Sequence, residues 1–130
     1  MGDRGNIFVR SQYQQPEPEE GEEREPLGVY LYSHWGGSEL PLALKAALSR
    51  KQRWDDGPYL TRIIFDEMTK GQQGEETGFG ISCVLCDNEH PIIRVDPGNQ
   101  TVSFGEFEAT FAHYIEVEDE TLLTYFNVSR

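Results

Sequence analysis

The sequence predicts a single α+β domain, an antiparallel or mixed sheet of about five strands with about three helices packed mainly on one face. Three observations lead there. Short β-prone runs at residues 6–10, 28–34, 78–85, 91–95 and 100–103 are bounded by Gly, Pro, Asp and Asn. Two longer stretches carry apolar residues at helical spacing behind a capping residue. The turn Asp96-Pro97-Gly98-Asn99 folds one strand back on the next, so part of the sheet is a meander. A chain of 130 residues suits one such domain with its own core.

In order, residues 6–10 form the first strand and residues 11–27 a polar, proline-bearing acidic loop. In residues 28–34, Val29, Leu31 and Ser33 alternate with Tyr30, Tyr32 and His34, giving one aliphatic and one aromatic face. Residues 38–51 read as a helix capped by Ser38, with Pro41 tolerated in its first turn and Leu40, Leu44, Ala47 and Leu48 on one stripe. Arg50, Lys51 and Arg53 suit the negative end of its dipole. Asp55-Asp56-Gly57-Pro58 starts a second helix, which buries Leu60, Ile63, Ile64 and Met68 and ends at Gly71. Ser103-Phe104-Gly105-Glu106 fits a capping box, and Phe104, Phe107, Phe111 and Tyr114 recur at helical spacing, which favours a third helix over a strand. Residues 116–130 form a C-terminal extension with a short helix over 122–126. The expected core is Leu31, Leu44, Leu48, Ile64, Met68, Ile81, Ile93, Val95, Phe107 and Phe111.

Charge narrows the function classes. A net charge of −12 opposes direct binding to nucleic acid or an anionic membrane, because phosphate neutralisation needs Lys and Arg. A small nucleotide is not excluded, and an acidic surface can imitate nucleic acid toward a basic protein. Glu17, Glu19, Glu20, Glu22, Glu23 and Glu25 concentrate charge in one run, relieved only by Arg24. The N-terminus lacks signal-peptide features and no apolar run is long enough for a membrane span, so a cytoplasmic protein with reduced thiols is expected.

Several segments together look familiar: Gly2-Asp3-Arg4-Gly5-Asn6-Ile7, Val29-Tyr30-Leu31-Tyr32-Ser33-His34-Trp35-Gly36-Gly37, Arg53-Trp54-Asp55-Asp56, Tyr59-Leu60-Thr61-Arg62-Ile63-Ile64-Phe65 and Thr77-Gly78-Phe79-Gly80-Ile81-Ser82. The chain resembles a family of small uncharacterised proteins of bacteria and their phages over most of its length outside the acidic loop and tail. The resemblance implies a domain family and carries over no activity. A phage setting in a bacterial host would favour anti-defence roles: inhibiting a host enzyme, imitating DNA, or sequestering a nucleotide signal.

The candidate site is the strand-to-helix turn His34-Trp35-Gly36-Gly37-Ser38, where free helix amides suit a phosphate and Trp35 or a neighbouring Tyr suits a base. Arg4 and Arg62, or Arg53, are its candidate counter-charges. The plain alternative is a tight turn with a core aromatic and a structural histidine. The spacing and terminal Lys of a P-loop are missing. Asp55 and Asp56 read as cap and neighbour, and Asp66 and Glu67 as solvated surface. Cys83 and Cys86 with His90, and His34 or His113, would make only a poor zinc knuckle, and no spacing selects among Ser33, Ser82 or Cys83 as a nucleophile. No metal, cofactor or catalytic set is therefore assigned. The expectation is a non-enzymatic binding protein holding an anionic nucleotide-like ligand at residues 34–38. The alternatives are an acidic inhibitor of a basic host protein and a small nucleotide hydrolase using His34 or Asp56. Homo-oligomer formation through an exposed aromatic strand face is compatible with the sequence.

Overall fold

A computed structural model describes residues 2–12, 20–21 and 26–128, so the acidic loop lies mostly outside the described residues. The described strands are β1 (Gly5–Arg10), β2 (Gly28–Ser33), β3 (Phe79–Ser82), β4 (Ile93–Asp96), β5 (Thr101–Phe104) and β6 (Phe107–Thr110). The α-helices are α1 (Leu40–Ser49), α2 (Gly57–Met68), α3 (Phe111–Tyr114) and α4 (Asp119–Val128). The strands form one sheet in the order β3-β2-β1-β4-β5-β6. Only β1 and β4 pair in parallel, so the sheet is mixed and the fold is α+β, as the sequence predicts.

Register explains burial. Ile7 lies opposite Leu31 and Ile93, Val9 opposite Val29 and Val95, and Val95 opposite Val102, so these side chains share one face. That face joins the core contributed by Leu40, Leu44, Ala47 and Leu48 of α1, Leu60, Ile63, Ile64 and Met68 of α2, and Leu122 and Phe126 of α4. The opposite face carries Asn6, Phe8, Tyr30, Tyr32 and Arg94. The connection from β3 to β4 reaches that face at Asn6, whose Nδ2 donates to the Asp87 carbonyl at 2.6 Å. Among the described residues, no helix is long and apolar enough to cross a membrane.

Three local expectations are corrected. The segment read as a third helix from Ser103 is instead the β5–β6 hairpin followed by the four-residue α3. Gly105 takes φ +56°, Phe104 stacks on Phe107 with centroids 4.8 Å apart, and Thr110 rather than Ser103 caps the helix. The aromatic spacing is thus satisfied across a turn and not around a helix. Ser38 does not cap α1: residues Gly37–Glu39 form a 3₁₀ turn, α1 starts at Leu40 without a side-chain cap, and it ends at Ser49. Ile81, expected in the core, is 59% exposed because β3 is an edge strand, and Phe107 is only half-buried.

The second helix follows its sequence signals at the start. Asp56 Oδ1 accepts from Tyr59 N–H, and Pro58 sits in the first turn. It stops at Met68, with Gly71 at φ +80° in the following turn. Within the C-terminal extension, α4 joins the core by burying Leu122 and Phe126 completely. Phe126→Ala should therefore cost about 3–5 kcal/mol in urea unfolding followed by circular dichroism. A loss below about 1 kcal/mol would mean that α4 is not part of the cooperative core.

Candidate functional site

Residues 2–6 run as a strap across the strand-to-helix turn. Asp3 N–H donates to the His34 carbonyl and Gly37 N–H donates to the Asp3 carbonyl, each at 2.7 Å. The Asp3 carboxylate accepts from Ser38 N–H at 3.0 Å and from Ser38 Oγ at 2.5 Å, and its other oxygen meets His90 Nε2. The anion drawn to this turn is thus a side chain of the same protein. Burial alone would raise the Asp3 carboxyl, but the Ser38 and His90 hydrogen bonds and the electrostatic attraction of His90 outweigh it and hold the group at about 2.

The strap is clamped from the other side by residues 87–90. Glu89 N–H donates to the Arg4 carbonyl, and the Arg4 guanidinium donates to Asp87 at 2.6 Å and to Glu89 at 2.9 Å. Hydrogen bonds from Arg4 hold the Glu89 carboxyl below its ordinary value. His90 is buried, stacks on Phe126 with centroids 5.3 Å apart, and leaves Nδ1 without a partner. Nearby, Tyr32 Oη and His34 Nδ1 are hydrogen-bonded at 2.7 Å. Burial, then the Asp87 carboxylate, push the Tyr32 phenol above its ordinary value.

The turn also walls a cleft of about 460 Å³, lined by Ser33, Trp35, Gly36, Glu39, Leu40, Leu42, Ala43, Glu67, Met68, Gln72 and Phe79. Trp35 is 57% exposed; its ring meets His34 edge-on at 4.9 Å and leans on Gly78, where a Cβ would come within 2.8 Å of it. Glu67 is oriented by Arg50, which donates to it at 2.7 Å. The lining combines two aromatic rings with two carboxylates and has no Lys or Arg, a chemistry for hydrogen-bond donors on a planar ring or for a cation.

Of the residues expected at the site, His34, Trp35, Gly36, Gly37 and Ser38 sit together on the turn, and Arg4 reaches it through the strap. Arg4 is paired with Asp87 and Glu89. Arg62 stands elsewhere, bonded to Asp66 at 2.6 Å beside a groove formed with Gln52, Arg53, Tyr59 and Ile63. Sequence reading missed the roles of Asp3, Asp87, Glu89 and His90, and the cleft residues Glu39, Glu67, Gln72 and Phe79. The only local signal was the dense polar run Asp87-Asn88-Glu89-His90. Among the described residues no three metal-capable side chains converge, and Ser33, Ser82 and Cys83 form no hydrogen bond with a histidine ring.

Two predictions follow from the strap. A Cβ at Gly37 would lie 2.7 Å from the Asp3 carbonyl oxygen and 2.8 Å from His90 Cδ2, so Gly37→Ala should destabilise by about 1–3 kcal/mol in urea unfolding. Asp3→Asn should cost about 1–3 kcal/mol near neutral pH. Because the folded carboxyl sits at about 2 against an ordinary 3.8, its contribution is complete above about pH 4 and lost as pH falls toward 2. Melting temperature against pH should accordingly fall less steeply below pH 4 in the variant, and parallel acid limbs would contradict the strap's role.

Comparison with protein-family models, curated proteins and solved structures finds no match to this chain.

Proposed function

We propose that the protein is a non-enzymatic binding protein whose ligand is a nucleobase-bearing small molecule seated in the cleft beside Gly36. The observation that carries this reading is the exposed Trp35 ring on the wall of a cleft that also presents Phe79, Glu39 and Glu67. The volume of about 460 Å³ suits a small ligand. A base stacked on Trp35 would present its exocyclic amine to a lining that bears carboxylates able to accept from it. Ser38 N–H is already bonded to Asp3 and no cation lines the cleft, so the base provides recognition and the phosphates of an anionic nucleotide point to solvent. In a phage-infected cell, such a protein would remove a nucleotide signal from solution.

A second reading has its own support. Asp96, Glu106, Glu108, Glu116, Glu118, Asp119 and Glu120 fall between Arg94 and Arg130 with no Lys or Arg among them. Apart from Asp96 these carboxylates are exposed, and such acidity would favour contact with a basic host protein that weakens steeply with salt; the Glu17 to Glu25 run of the sequence adds to that charge.

Calorimetric titration with guanosine, adenosine, cytidine and uridine monophosphates tests the first reading. Bases carrying an exocyclic amine should bind more tightly than uridine, with little salt dependence. Trp35→Ala should weaken binding by about 10–100-fold, the worth of one base stack. No binding to any of the four, or binding indifferent to Trp35→Ala, would reject the cleft reading. Salt-sensitive capture of a basic protein would then favour the second.

A further inference from the structure

The two edges of the sheet are built differently. At β6, the exposed Glu108 and the neighbouring Glu106 present carboxylates to any approaching strand, a common protection against edge pairing. At β3 there is no such guard. Residues 77–86 contain no charged side chain in a chain of net charge −12. Ile81, Val84 and Leu85 are 59%, 60% and 44% exposed within this short stretch. Gly80, inside the strand, adds a separate observation: a Cβ there would meet nothing within 4 Å, and its φ is not positive. Neither crowding nor conformation within this chain calls for glycine at that position. Glycine within a strand is a frequent mark of another backbone's close approach.

We propose that β3 pairs antiparallel with β3 of a second copy of this chain, joining two six-stranded sheets edge to edge about a two-fold axis. The unpaired backbone groups of β3 supply the ladder, and Ile81, Val84 and Leu85 supply apolar contact. A second copy is the partner that fits the charges. Two molecules of charge −12 repel over most of their surfaces, and an uncharged edge is where they approach at least electrostatic cost. A partner chosen by positive charge finds no counter-charge there. Antiparallel pairing of identical strands is also isologous, so it closes at two copies.

The test is sedimentation equilibrium of the full chain under reducing conditions, which prevents linkage through Cys83 and Cys86. A monomer–dimer equilibrium is expected that tightens between about 50 and about 500 mM NaCl, because salt screens repulsion instead of breaking ion pairs. Ile81→Lys, and independently Val84→Glu, should weaken the dimer by about tenfold or more, while Glu108→Lys at the opposite edge should not weaken it. Ile81 in β3 and Val84 just after it are both exposed, and unchanged circular dichroism and thermal melting confirm that each variant folds. If one variant misfolds, the other decides. A chain that stays monomeric at high salt and concentration, or a dimer indifferent to the folded β3-edge variant, would overturn the proposal.

Discussion

One carboxylate joins three segments distant in sequence: Asp3 binds Ser38, 35 residues away, and His90, 87 residues away. A carboxylate taken partly out of water is costly unless its lone pairs are filled, and here Ser38 and His90 fill them. The tie sets the course of the backbone at the turn. Gly37 passes so close to the strap and the His90 ring that a side chain there has no room. Arg4, Asn6, Asp87 and Glu89 then extend the tie along the strap, so the first strand, the turn and the β3–β4 connection hold one another in place.

This arrangement decides which chemistry the turn offers. A free helix-start amide would favour an outside anion, but Asp3 already accepts from Ser38 N–H. What remains open to solvent is the other wall, where Trp35 and Phe79 face a cleft bearing Glu39 and Glu67. In the proposed binding mode, recognition there would rest on stacking and on donation to carboxylates. A negative protein can bind a negatively charged nucleotide in this way if the base enters first and the phosphates remain hydrated.

Features governed by local periodicity were legible in the sequence. The alternation of Val29, Leu31 and Ser33, the helical stripe of Leu40, Leu44 and Leu48, and the Asp56 cap all appear in the structure. The failures arise where a side-chain partner, a turn or a place in the sheet, none of which periodicity carries, overrides the local pattern. Ser38 has the chemistry of a cap but is recruited by Asp3. The aromatics from Phe104 to Tyr114 keep a helical spacing, yet Gly105 turns the chain and β6 pairs with β5. Ile81 looks like a core residue by pattern, but its strand ends the sheet. At the site, the residues of the turn could be read because they are consecutive. Their partners Asp3 and His90, and the cleft residues brought by α2 and β3, are assembled by tertiary structure alone.

Residue-resolved amide hydrogen exchange on the intact protein tests most directly whether the strap holds the turn. If the strap holds the turn, the Asp3, Gly37, Ser38 and Glu89 amides are protected to nearly the same free energy as Ile7 and Val9 in β1, opening only when the domain unfolds. Rapid exchange at those four amides while β1 stays protected would show that the turn stands without the strap.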